Sequence, residues 1–147
     1  MPYWNVGASD LVGVAWGNTT ALSGATEIFL NPTAGFGVRL LGFDMGAFTR
    51  DRTFPLAVRE GDGTTLFEDT STTVLLATAS SFAPATPGAW ASATGIRIQW
   101  GPDRNVAIDN IEFETYELSS TPVIPLPAAG WLLLAGLGGL ALVRRRA

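Results

Sequence analysis

Ile96-Arg97-Ile98-Gln99-Trp100 runs into Gly101-Pro102-Asp103-Arg104-Asn105, and Val106-Ala107-Ile108-Asp109-Asn110-Ile111-Glu112-Phe113-Glu114-Thr115-Tyr116 follows. In the first block apolar residues alternate with Arg97 and Gln99, the period-two pattern of a half-buried strand. The second block gathers Gly, Pro, Asp and Asn, the residues that favour turns. The third returns to a strand pattern, with Ile111 and Phe113 on one face and Glu112 and Glu114 on the other. This strand, turn and strand decide the fold class.

Working outward, residues 53–60 place Phe54, Leu56 and Val58 on one face and Arg59 on the other. Gly61-Asp62-Gly63 follows, then Thr64-Thr65-Leu66-Phe67-Glu68. Asp-Gly between two β-prone runs predicts a hairpin, because Gly supplies the positive φ the turn needs. Residues 36–43 are apolar apart from Arg39, as in a strand largely buried on both faces. Further strands are expected at 11–16, 27–30 and 74–79. No stretch of the first 118 residues has the apolar spacing of a useful amphipathic helix. Many short strands with regular turns predict a β-sandwich or jelly roll, and about 115 residues is a normal size for one. A single C-terminal transmembrane helix is expected after it. The domains read as 1–118 for the β body, 119–122 for a polar linker and 123–147 for the tail.

Composition narrows the chemistry. The 147 residues include no Cys and no His, and all nine basic residues are Arg. Disulfides, thiolate nucleophiles, the commonest general base and the commonest metal ligand are therefore missing. Three of the Arg stand together at 144–146, so residues 1–143 carry six Arg against 13 acids, a net of −7. Such a body is a poor nucleic-acid binder, since phosphate contacts need clustered positive charge. Residues 1–10 contain no basic region followed by an apolar run, so no signal peptide is read there.

The tail is a different physical object. Residues 128–143 carry no charge and are rich in Leu. As a helix they would span roughly 24 Å at ~1.5 Å per residue, against a hydrocarbon core of about 30 Å. Residues 123–127 extend the apolar run, with prolines that fray that end. Trp131 suits a membrane interface, and Arg144, Arg145 and Arg146 suit the cytoplasmic face. That orientation puts the acidic body outside the cytoplasm. A core helix would carry a polar stripe, and this run has none.

A Pro motif, an apolar run and an Arg cluster, in that order, resemble the PEP-CTERM class of bacterial sorting signals. Ile124-Pro125-Leu126-Pro127-Ala128 is similar to the VPLPA-CTERM variant, with Ile124 in place of Val, and Ala129-Gly130-Trp131-Leu132-Leu133-Leu134 continues its pattern. The resemblance implies an exported substrate of an exosortase, a membrane-embedded sorting enzyme. Such a chain is held by its tail, cut near the Pro motif, and released or attached at the cell surface. Family members are often linked with exopolysaccharide. By carry-over, Pro125, Leu126, Pro127 and Ala128 form the recognition motif. Trp131, Leu132, Leu133, Leu134, Leu137, Leu140, Leu142 and Val143 form the anchor, and Arg144, Arg145 and Arg146 the retention signal. The family carries an amino-terminal signal peptide, so its absence here suggests a truncated or misassigned start, or a degenerate gene. The segment 105–113 also resembles the last strand of carbohydrate-binding jelly rolls, where an Ile-Asp-Asn-Ile motif recurs.

Within the body, Asp109 reads either as a structural Ca²⁺ ligand or as a side chain bonding nearby backbone at a strand irregularity. The second is preferred, because Ca²⁺ takes about six or more oxygens and no second acidic cluster is identifiable. Asp44, Asp51, Glu60, Asp62, Glu68 and Asp69 invite a glycan-hydrolase reading, which needs two carboxyls at a defined separation. Turn carboxylates explain most of them more simply. Among the indoles, Trp100 alternates with Ile96 and Ile98 and belongs in the core. Trp90, in Thr86-Pro87-Gly88-Ala89-Trp90, is expected on a loop and is the best candidate to stack on a sugar ring. The expectation for the whole chain is a tethered envelope protein, structural or exopolysaccharide-associated, with no catalysis of its own. The alternatives are a carbohydrate-binding module or a small carboxylate-based hydrolase.

Overall fold

The computed structural model describes residues 11, 14–16 and 26–119. They are all-β. The strands are β1 (Ala15–Trp16), β2 (Thr26–Leu30), β3 (Phe36–Ala47), β4 (Arg52–Glu60), β5 (Thr65–Val74), β6 (Ser80–Phe82), β7 (Ala91–Ser92), β8 (Ile96–Trp100) and β9 (Val106–Glu117). They form two antiparallel sheets. One runs β1-β9-β3-β6, with β7 also on β3, and the other runs β2-β8-β4-β5.

The pairing is nested. β4 pairs with β5, β3 with β6, β2 with β8 and β1 with β9. The chain thus pairs as one long hairpin whose tip is the β4–β5 turn. The hairpin is rolled so that β9 also meets β3 and β8 also meets β4.

The tip is the turn expected from Asp-Gly. Gly63 sits at φ +97°, and its N–H donates to the Glu60 carbonyl at 3.0 Å. The Asp62 carboxylate accepts from the Thr64 N–H at 2.9 Å, and this bond holds its pKa below the ordinary carboxylate value. Gly61 is needed for a different reason. A Cβ there would run into the Thr94 backbone carbonyl, so the turn can lie against the loop before β8 only with Gly.

Alternation places the core. From the first sheet Val38, Leu40, Phe43, Met45, Ala47, Val106 and Ile108 point inward. Phe54, Leu56, Val58, Val74, Ile96, Ile98 and Trp100 come from the second, and all belong to one buried cluster. Two sheets sharing one core are consistent with a β-sandwich. Each fully buried Leu, Ile or Val contributes about 1.5–3 kcal/mol relative to exposure. Ile96, Ile98 and Trp100 are fully buried while Arg97 and Gln99 are half-buried, as their alternation requires. Arg97 and Gln99 both donate to the Glu27 carboxylate, at 2.6 Å each. A smaller cluster packs Leu11 and Val14 on Ala107.

Two expectations need correction. Residues 74–79 are not a strand: Val74 ends β5, and the chain bends before β6. Nor is residue run 36–43 buried on both faces. Arg39 lies on the outer face in an ion pair with Glu114, and Leu41 is 41% exposed. Apart from Arg39 the run reads as apolar because Gly37 and Gly42 fall on that outer face and Leu41 is an extra residue at a bulge.

β5 ends its sheet, and its outer edge has no neighbour among the described residues. The edge is broken by a bulge, since Phe54 faces Thr72 while Leu56 faces Asp69. Asp69 holds the bulge, accepting from the Ser71 N–H and the Thr72 hydroxyl at 2.9 Å each. These bonds hold its pKa below the ordinary carboxylate value. A bulge and an edge carboxylate both oppose edge-to-edge pairing with another chain.

Candidate functional site

The tail lies outside the described residues. That holds for Pro125, Leu126, Pro127 and Ala128, for the apolar run from Trp131 to Val143, and for Arg144, Arg145 and Arg146. Among the described residues no helix is long and apolar enough to cross a membrane.

Trp90 requires a correction. It is on a loop, as its Thr-Pro-Gly context suggests, but its ring turns inward and is 4% exposed. It stacks on Phe43 at 6.1 Å between ring centroids and tilts against Phe67 at 5.7 Å. Its carbonyl accepts from the Leu40 N–H at 2.9 Å. An indole face spent on Phe43 and Phe67 is not open to a sugar. The physical reason is the path of the loop: it runs along β3, and a large apolar ring there gains more by filling the gap between sheets than by facing water.

Asp109 stands beside a strand irregularity. Asp44 faces Asp109, Gly42 faces Glu112 and Leu40 faces Phe113, with a register shift at each step. Between the first two pairs β9 carries one extra residue. Between the next two β3 carries one, Leu41. The shifts cancel, so the ladder beyond them resumes its earlier register. The extra turn in β9 is taken by Asn110 at φ +49°, a left-handed conformation that Asn tolerates better than most residues.

These paired bulges make a cleft on the outer face of the first sheet. It has a volume of about 440 Å³ and is lined by Leu41, Gly42, Asp44, Ser81, Asn110 and Glu112, among others. Asp44 is its organiser. Ser81 Oγ donates to Asp44 Oδ1 at 2.6 Å, and Asn110 Nδ2 donates to Oδ2 at 2.8 Å. Two donors on one carboxylate offset the repulsion from Asp109, which stands directly across the ladder. Gly42 leaves the floor open, since a Cβ there would press on the Phe82 carbonyl oxygen at 3.0 Å. The volume falls in the range of small-molecule sites, about 300–1,000 Å³. Hydroxyl, amide and carboxylate groups beside Leu41 suit a ligand that both donates and accepts hydrogen bonds.

The other carboxylates have structural partners. Asp51 accepts from the Leu76 N–H at 2.8 Å, and Asp103 from the Asn105 N–H at 2.8 Å. Glu60 accepts from the Ser92 hydroxyl at 2.7 Å, and Glu68 lies 3.2 Å from Arg59. Among the described residues no group of three or more carboxylates is placed to hold a metal ion. The Ca²⁺ reading of Asp109 thus gains no further ligand set there.

The cleft was not readable as a site in the sequence. Asp44, Ser81 and Asn110 are separated by dozens of residues and meet only through strand register. The one local signal was Asn110, an αL-tolerant residue inside a strand pattern. Comparison with protein-family models, with curated proteins and with solved structures gives no match.

Proposed function

We propose that the chain is an exported bacterial envelope protein, structural or exopolysaccharide-associated, whose tail hands it to an exosortase. The observation that carries this is the order of the tail: Pro125-Leu126-Pro127-Ala128, the uncharged run 128–143, then Arg144 to Arg146. The all-β body fits the role. Its nested strand pairing in two antiparallel sheets supports the jelly-roll form of that fold, in which a rolled hairpin gives two packed sheets. Asp51, Glu60, Asp62, Glu68, Asp69 and Asp103 are engaged in turns, a bulge and side-chain pairs, and the body in this role carries no catalysis. The apolar run spans the inner membrane with the body outside the cytoplasm, until cleavage near the Pro motif sends the body to the surface or the medium.

The test is mass spectrometry of the mature chain from a host that has an exosortase, comparing wild type with a Pro125→Ala/Pro127→Ala double variant. Loss of the Arg-containing end from the wild type alone is expected. An intact end at residues 144–146 in the wild type refutes the reading.

A second reading concerns the body, and the cleft favours it: Asp44, Ser81, Asn110 and Glu112 present polar groups around an open floor at Gly42. A neutral glycan fits that chemistry, with hydroxyls donating to Glu112 and Asp44 and accepting from Asn110. Glu112→Ala removes an exposed acceptor at no cost to the core. Retention on a panel of immobilised polysaccharides should fall for this variant, and equal retention excludes the cleft.

A further inference from the structure

The end of the body from which the tail departs carries an apolar patch with a charged margin, where Arg97 lies over the Phe29 ring at 4.2 Å and Glu60 and Glu117 reach the same end. Of the exposed large hydrophobic side chains, Phe29, Phe36, Phe113 and Leu118 belong to this end, whereas Leu41 lies at the cleft and Leu75 and Leu76 follow β5 at the other end. Phe29 and Phe113 line one hollow of about 230 Å³ with Leu30, Asn31, Pro32 and Val38, and no charged residue lines it. Phe36 pairs with Glu117, and the Leu118 N–H donates to the Gly35 carbonyl at 2.9 Å. The loop 31–35, the hollow and the point of departure of the tail are therefore one surface. Phe113 is 52% exposed although it sits on the inward-facing side of β9.

We infer that this end of the body rests on the lipid surface while the tail is inserted, so that the phenylalanines dip into the bilayer interface. The inference depends on the tail reading, because the anchor brings the surface to the membrane. The linker supplies the geometry. Residues 119–122 can extend no further than roughly 14 Å at ~3.5 Å per residue. The apolar end thus cannot move far from the headgroups once residues 123–143 are in the bilayer. A contiguous apolar patch is costly in water and marks a contact surface. A second copy fits less well. Two copies meeting end to end through this surface would bring their tails together between them, and both tails could not enter the same leaflet from the same side.

The test uses the full chain in phosphatidylcholine vesicles that carry nitroxide lipid. The chain has no Cys, so single reporters are clean. Thr33→Cys places a fluorophore on the loop 31–35 without altering the patch. Arg104→Cys places one in the turn before β9, at the opposite end, roughly 35 Å away along a twelve-residue strand. Strong quenching at 33 and none at 104 is expected. A Phe36→Ser/Phe113→Ser double variant should still float with the vesicles but lose the quenching at 33. Equal signals at 33 and 104 in floating protein overturn the inference and leave the tail reading intact. So does quenching at 33 that survives the double substitution, which would be proximity alone. A reporter at 33 shielded from aqueous iodide and from lipid nitroxide alike would mean that another protein segment covers the patch. A chain that does not float at all overturns the tail reading and the inference with it.

Discussion

Trp90→Ala separates a core indole from a surface indole. In the structure the ring is 4% exposed and contacts Phe43 and Phe67, so its removal leaves a cavity between the sheets. A buried Trp or Phe truncated to Ala costs about 3–5 kcal/mol, a figure that includes the ring contacts as well as the transfer of the indole. Domains of this size have only about 5–15 kcal/mol in total. At roughly 4–8 °C per kcal/mol, the melting point should fall by about 12–40 °C. Trp90→Phe keeps a ring against Phe43 and should lose only about 1–2 kcal/mol. Pulse proteolysis across a urea series on the full chain in micelles reads these differences without depending on indole fluorescence. A Trp90→Ala midpoint within about 1 kcal/mol of wild type would show that the ring fills no core space, and the packing argument would fail.

Other outcomes follow from single contacts. Among the described residues the buried Trp100 indole N–H has no partner, so Trp100→Phe removes an unsatisfied donor and should stay within about 1.5 kcal/mol of wild type, whereas Trp100→Ala should lose about 3–5 kcal/mol. Thermal melts of the pair check this, and equal losses would contradict it. Gly61→Ala should destabilise by about 1–3 kcal/mol, because the obstacle is the Thr94 backbone and not a flexible side chain. A neutral result in the same melts would mean that the turn can move. Asn110→Gly should keep the bulge, since Gly adopts positive φ freely, while Asn110→Ala should cost more by roughly 1 kcal/mol. The reverse order would count against a left-handed bulge. Asp69 has a depressed folded pKa, caused by the Ser71 N–H and then the Thr72 hydroxyl. Its contribution is therefore present above the ordinary carboxylate pKa and is lost as pH falls through the lower folded value. The stability gap between wild type and Asp69→Asn should close on acidification through that window. A gap that stays constant into strong acid would rule out the bulge-holding role.

Local pattern settled a good deal. Alternation alone sends Ile96, Ile98 and Trp100 to the core, because a strand has a period of two and one face must leave water. Asp62-Gly63 named its own turn, since few dipeptides take that backbone. The missing His and Cys restricted the chemistry without any coordinates, and charge and hydropathy set residues 123–147 apart from the body in composition. What alternation cannot supply is the third dimension. Trp90 sits in a sequence that looks like an exposed loop, and only the passage of that loop over β3 makes it core. Leu41 looks like an ordinary strand residue, and Asn110 hints at a bulge only by its tolerance of the left-handed region. Their opposed bulges exist because β3 and β9 must stay in register on both sides of the mismatch. Asp44, Ser81 and Asn110 become one cleft through that register, and Phe29, Phe36 and Phe113 become one apolar end through the rolling of the hairpin. Sequence fixes what each strand wants to bury; which strands lie side by side is a property of the whole chain, because long-range pairing depends on every loop between them.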